Sequence, residues 1–194
     1  MIEWITNIDK NILMFLQEHL RNGVFNPIMI FITYLGDGGI MWIVASLAMT
    51  AFKKTRKAGI MALLALALGF IVTNLILKNC FERVRPYDQF QDLILLIRKQ
   101  SDFSFPSGHS CSSFAVSMTW YHYLNKKGIG RFSVILASLI AFSRLYVCVH
   151  FPTDVIVGVL VGILASVAIC KADDHHVFDK VIAKLPKKNK VSAG

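Results

Sequence analysis

Residues 58–77 run the length of a membrane span without one charged side chain. A crossing helix needs about 20 consecutive, mostly apolar residues. Once one such run exists, the chain must satisfy its backbone inside lipid, so helices become the expected element. The rest of the chain agrees. It is 55% hydrophobic and only 17% charged, against about 25% charged residues in soluble domains. Its mean hydropathy is +0.54. A single membrane domain of 194 residues follows.

Further apolar stretches are Val24–Leu35, Ile40–Phe52, Ser110–Leu124, Phe132–Val149 and Val155–Cys170. Gly36-Asp37-Gly38-Gly39 splits the first two and reads as a turn. With Ala58–Leu77 these predict an all-α, six-span transmembrane helical bundle over 24–172. Before it, Ile2, Ile5, Ile8, Ile12, Phe15, Leu16 and Leu20 recur at helical spacing, which predicts an N-terminal amphipathic helix over 1–22. It either lies in the membrane interface or packs on the spans. Its charges, Glu3, Asp9, Lys10, Glu18 and Arg21, leave no uninterrupted apolar core for a cleavable signal.

The net charge of +9 would suggest nucleic acid in a soluble protein. In a membrane chain it points to cytoplasmic lysine and arginine instead. Lys53, Lys54, Arg56 and Lys57 follow the second stretch, and Lys126, Lys127 and Arg131 follow the fourth. Lys171, Lys180, Lys184, Lys187, Lys188 and Lys190 end the chain. Six spans put these clusters on one face, the cytoplasmic one. The Gly36–Gly39 turn, the Asn79–Phe105 loop and the Leu145–Pro152 turn then share the outer face.

Cys80, Cys111, Cys148 and Cys170 form no CxxC pair and read as free thiols, with a Cys80–Cys148 disulfide left open. His175 and His176 stand among Asp173, Asp174 and Asp179. Adjacent histidines point different ways on a helix, so 173–194 reads as a solvated basic tail near anionic lipid rather than a metal site.

Lys78, Arg85, His109, Arg144, His150 and Asp154 fall at the outer ends of spans. Ionisable residues there are costly and point to function. Lys78 and Arg85 are seven residues apart, nearly two helical turns, so a continuous helix would project both cations from one side to grip a phosphate dianion. Pro86 then turns the chain out of the helix. Arg83 lies off that face, with Asp88 or lipid headgroups as its expected partners. Pro106-Ser107-Gly108-His109 opens the fourth span. The free N–H groups of a helix start attract anions, Gly108 admits close approach, and His109 suits proton transfer at neutral pH. Pro152 fits the first turn of the last span. Asp154 in that turn reaches back to His150, so a carboxylate orients an imidazole for attack.

Three patterns are thus present: Lys78…Arg85-Pro86, Pro106-Ser107-Gly108-His109, and Ser143-Arg144…His150…Asp154. In this the chain resembles the type 2 phosphatidic acid phosphatase superfamily, whose pattern is Lys-x6-Arg-Pro, Pro-Ser-Gly-His and Ser-Arg-x5-His-x3-Asp. The matching positions span residues 78–154 without a departure. The resemblance implies that Lys78, Arg85 and Arg144 hold the phosphate, aided by Ser107 and the Gly108 N–H. It implies that His150 becomes phosphohistidine, that His109 protonates the leaving oxygen and then activates water, and that Asp154 orients His150. No metal or other cofactor is implied. The substrate would be a lipid phosphate: undecaprenyl pyrophosphate, phosphatidylglycerol phosphate or phosphatidic acid. The site would work on the outer face of the plasma membrane. The segment Asp92–Lys99, with Leu93, Ile94, Leu96 and Ile97, is expected to lie on the membrane beside the lipid. A lipid phosphotransferase of the same superfamily, or a membrane protein that only binds lipid phosphate, are the alternatives. Oligomeric state has no sequence signal.

Overall fold

A computed structural model describes residues 2–124 and 128–175. Those residues form helices and connections, with no strand among them. The helices are α1 (Ile2–His19), α2 (Phe25–Leu35), α3 (Ile40–Thr50), α4 (Arg56–Phe70), α5 (Lys78–Phe81), α6 (Pro86–Gln89), α7 (Gly108–Leu124), α8 (Ile129–Tyr146) and α9 (Pro152–Asp174). A π-helical stretch, Ile71–Leu77, joins α4 to α5 without a break. The expected contributions of Lys126, Lys127, His176, Asp179 and the closing lysines lie outside the described residues.

The bundle is built around α7, which packs on α4, α8 and α9. Ala115 and Val116 on it are fully buried. The approach to α9 is close because α9 carries Gly158 and Gly162, one turn apart. A Cβ at Gly158 would stand 2.5 Å from the Ser107 carbonyl oxygen, and one at Gly162 would stand 2.4 Å from that of Cys111. Small residues at this spacing let two helix backbones meet inside a membrane. On the outside of the bundle, Phe31, Val44, Leu75, Phe132, Ile135, Ile156 and Leu164 are exposed. That belt is the reverse of a soluble surface and suits lipid.

Three runs are long and apolar enough to cross a membrane: the one starting at Arg56, Ile129–Tyr146 and Pro152–Asp174. A fourth comes from α2 and α3 taken together, bent by 43°. The expected hairpin at Gly36–Gly39 is thus a bend, and the described residues show three or four of the six expected spans by length and apolar character. α2 packs on α8 whereas α3 packs on α4. Successive contacts descend the bundle. Asn26 meets Tyr146, Thr33 meets Arg144, and Trp42 meets Ser113. Gly38 and Gly39 have φ of 58° and 66°, which glycine takes without strain, and they turn the chain by a bend rather than a reversal. The two short stretches therefore form one bent pair, with the break at the glycines.

α1 lies across the same end of the bundle as the α8–α9 turn. Thr6, Asp9, Leu13 and Leu16 face inward, while Ile5, Ile8, Ile12 and Phe15 stay exposed. The helix packs on the protein, one of its two expected placements, and keeps an apolar outer stripe. Residues 92–99 are irregular rather than helical. Leu93 packs with Leu13, Cys148 and Phe151, and Leu96 donates its N–H to the Val147 carbonyl. The segment covers protein through Leu93, Leu95, Leu96 and Ile97, while Ile94 stays exposed. Asp173 is not part of a solvated tail either. Its carboxylate is buried at the end of α9, 2.7 Å from Lys57 Nζ, and accepts from Tyr123 Oη at 2.6 Å. All four cysteines are free thiols; Cys80 is exposed and the other three are buried.

Candidate active site

Lys78, Arg85, Gly108, His109, Arg144 and His150 line one cavity of about 240 Å³. It is bounded by the Gly36–Gly39 bend, the end of α4 with its π-helical stretch, the start of α7, and the α8–α9 turn. Its deeper wall is Gly36, Gly39, Leu66, Gly69 and Phe70.

The cations arrive there by routes that spacing alone does not reveal. The helix carrying Lys78 stops at Phe81, because Glu82 takes a left-handed conformation with φ of 43°. Arg85 is then extended, and Pro86 starts α6 instead of ending a helix. Lys78 and Arg85 are therefore not paired along one continuous helix, although the two do converge. Both ion-pair with Asp102, Arg85 Nη2 at 2.6 Å. Arg85 also donates through Nε to the Asp102 carbonyl at 2.8 Å and through Nη1 to the Val149 carbonyl at 2.7 Å. Arg144, 1% exposed, donates to Thr33 Oγ1 at 2.6 Å, and its buried Nε has no partner.

His150 is 1% exposed and sits on a sharp turn in which Cys148 has φ of 66°. Its Nε2 edge faces the cations, 3.5 Å from Arg85 Nη1. Burial comes first, then Arg85, Arg144 and Lys78, in holding its pKa well below the usual histidine range. That shift favours the neutral ring, the form with a free lone pair. On the Nδ1 edge Ser104 Oγ stands at 3.4 Å and Asp154 Oδ2 at 3.7 Å. Asp154 accepts from Ser104 Oγ at 2.5 Å and from the Phe151 N–H at 2.9 Å. The expected direct Asp154–His150 contact is thus beyond hydrogen-bond length, with Ser104 between them.

His109 Nε2 lies 2.8 Å from Asp37 Oδ1 in the α2–α3 bend. The bend that looked like an outer turn thus delivers a carboxylate to the site. Ser107 is close by but does not line the cavity. Its Oγ accepts from Ser110 Oγ at 3.0 Å and from the Ser110 N–H at 3.4 Å, and its N–H donates to the Asp154 carbonyl. In this arrangement it closes the first turn of α7. Arg83 does not pair with Asp88, which is held by Lys99 at 2.6 Å. Arg83 instead bridges Asp9 at 2.9 Å and Asp154 at 2.6 Å.

Several site residues escaped the sequence reading: Thr33, Asp37, Asn74, Asp102 and Ser104. Asn74 Oδ1 is buried without a partner. It sits on the π-helical stretch and lines the cavity. Such bulges often mark functional positions. Asp102 is the one with a charge signature. Burial would raise its pKa, but Lys78 and Arg85 outweigh that and hold it at about 2. No cluster of three or more His, Cys, Asp or Glu able to hold a metal occurs among the described residues.

A cavity lined by three cations and two histidines, in a bundle with an apolar exterior, defines a membrane phosphatase. The chain belongs to the PAP2 superfamily, whose family model matches residues 58–177. It is 33% identical to an undecaprenyl-diphosphatase of Sulfolobus acidocaldarius, over 80% of this chain and 75% of that one. It is 26% identical to a lipid A 4'-phosphatase of Bacteroides thetaiotaomicron, over 84% and 75%. Among solved structures it resembles the transmembrane PAP2-type phosphatidylglycerolphosphate phosphatase of Bacillus subtilis. That match has a TM-score of 0.72 at 27% identity and covers 88% of this chain and 87% of the other.

Proposed function

We propose that this protein hydrolyses a lipid phosphate or diphosphate through a phosphohistidine at His150. One observation carries the reading: the Nε2 edge of a buried His150 faces the cavity shared by Lys78, Arg85 and Arg144. The three cations hold the phosphoryl oxygens and stabilise the charge of the transition state. The Gly108 N–H, at the start of α7, adds a donor, and Ser107 supports that turn. His150 Nε2 attacks phosphorus as the bond from phosphorus to the leaving oxygen breaks. His109, held at its Nε2 edge by Asp37, gives that oxygen a proton. Water then attacks the phosphohistidine, His109 takes the proton back, and inorganic phosphate leaves. Asp154 orients His150 through Ser104. The phosphate must first displace the Asp102 carboxylate from Lys78 and Arg85. No step calls for a metal.

The relatives named above act on undecaprenyl diphosphate, lipid A and phosphatidylglycerol phosphate, so a lipid-borne phosphate is the substrate class. The deeper wall, with Leu66 and Phe70, suits the apolar part next to the phosphate. Lys53, Lys54, Arg56 and Lys57 stand at the α3–α4 turn, at the far end of the bundle from the cavity. The positive-inside rule then gives an outward-facing site in the plasma membrane.

The test is phosphate release in detergent with a chelator present, from undecaprenyl diphosphate, phosphatidylglycerol phosphate and phosphatidic acid. Wild type should release phosphate from at least one, and His150→Ala from none. Full activity in His150→Ala would remove the nucleophile. Transfer to an added alcohol without net phosphate release would favour a phosphotransferase.

A further inference from the structure

Behind the nucleophile runs a chain of polar contacts that ends outside the family-matched segment. Ser104 Oγ donates to Asp154 Oδ2 at 2.5 Å and stands 3.4 Å from His150 Nδ1. The other carboxylate oxygen of Asp154 accepts from Arg83 Nη1 at 2.6 Å. Arg83 Nη1 also reaches Thr153 Oγ1 at 2.7 Å, and its Nη2 donates to Asp9 Oδ2 at 2.9 Å. Asp9, 1% exposed on α1, in turn accepts from the Thr153 N–H at 3.1 Å and from the Thr153 hydroxyl. The Arg83 guanidinium lies over the Phe151 ring, 4.0 Å from its centre. Leu13, one turn after Asp9, packs with Phe151 and Cys148 in the same turn that presents His150.

This is more than a buried ion pair needs. Asp154 has two oxygens, and each is committed in a different direction, one to the imidazole side and one to the bracing side. A carboxylate fixed at both oxygens cannot rotate away from the ring. Partners of this kind orient a reacting group without touching substrate. None of Ser104, Arg83, Asp154 or Asp9 lines the cavity.

We propose that Ser104, Arg83 and Asp9 are positioning residues for His150, and that α1 braces the nucleophile through Asp9. Ser104 carries the hydrogen bond that Asp154 is too far away to make itself. Arg83 fixes Asp154, and Asp9 fixes Arg83. The inference rests on the phosphohistidine reading.

The test measures kcat and KM on undecaprenyl diphosphate and phosphatidylglycerol phosphate for the full chain in detergent, with a thermal melt for each variant. Ser104→Ala, Arg83→Gln and Asp9→Asn should each lower kcat about tenfold or more, with KM changed less than about twofold. Ser104→Thr, which keeps the hydroxyl, should restore most of the loss. The Arg83→Gln/Asp9→Asn double variant should lose little more than the worse single one, because both act along one chain. Unchanged kcat in Ser104→Ala, or no rescue by Ser104→Thr, overturns the role of Ser104. A loss in Arg83→Gln and Asp9→Asn seen only in KM, or tracking a lowered melting temperature, overturns the bracing role. If wild type and His150→Ala behave as expected while these variants stay at full rate, only the positioning chain fails. If wild type is inactive on both of these lipids and on phosphatidic acid, the functional reading falls and takes the chain with it.

Discussion

Asp102 ion-pairs with Lys78 and Arg85, the cations proposed to hold the phosphate. Two cations with 6% and 4% exposure would be costly without an anion beside them. Asp102 keeps half its side chain exposed, so it can withdraw when a dianion arrives. The competition has a sign that can be checked. A carboxyl held at about 2 is ionised at any working pH, so it opposes anion binding throughout. Asp102→Asn should therefore tighten inorganic phosphate and orthovanadate binding about tenfold, the scale of one lost competing ion pair near a surface. The gain should be the same from about pH 5 to about pH 8. Weaker binding in this variant, read by titration calorimetry, would show that Asp102 frames the cations instead of competing for them. The sequence held the motif for these two cations in plain view. It hid Asp102, because an aspartate in a polar loop has no pattern until the fold brings Lys78 and Arg85 to it.

At the scale of elements, the contact between α7 and α9 decides how the motifs meet. His109 lies in the first turn of α7 and Asp154 in the first turn of α9, so a shift between these helices moves the proposed proton donor relative to the proposed nucleophile. Gly158 and Gly162 set the separation. Gly162→Leu places a side chain against the Cys111 carbonyl, where a Cβ alone would come within 2.4 Å. Overpacking of this kind costs about 1–3 kcal/mol. A thermal melt in detergent should show a clear fall in melting temperature, and activity should drop with it. A variant that melts and turns over like wild type would mean the two helices separate easily. The Gly-x-x-x-Gly spacing was available in the sequence. The break at Gly36–Gly39 was visible too, but its geometry was not. A glycine cluster permits either a reversal or a bend, and only the packing of α2 on α8 and of α3 on α4 chooses.

Across the whole molecule, the charge distribution and the free cysteines combine into a test of orientation. Cys80 is exposed at the cavity end, while Cys111, Cys148 and Cys170 are buried. A membrane-impermeant maleimide added to intact cells should label wild type, and Cys80→Ser should abolish the labelling. Labelling only after lysis would invert the proposed topology.

Hydrophobicity, lysine and arginine placement and three short motifs were enough to identify a helical membrane protein and to name Lys78, Arg85, His109, Arg144, His150 and Asp154, since those properties are local. Lipid demands long apolar helices wherever the chain crosses, and phosphoryl chemistry demands cations and imidazoles whatever surrounds them. The partners of these residues were decided only in three dimensions. Asp37 comes to His109 by a bend, Asp102 to the cations by a loop, and Asp9 to Arg83 from a helix 74 positions earlier. A buried charge must find its counter-charge in space, and nothing in chain order says which segment will supply it.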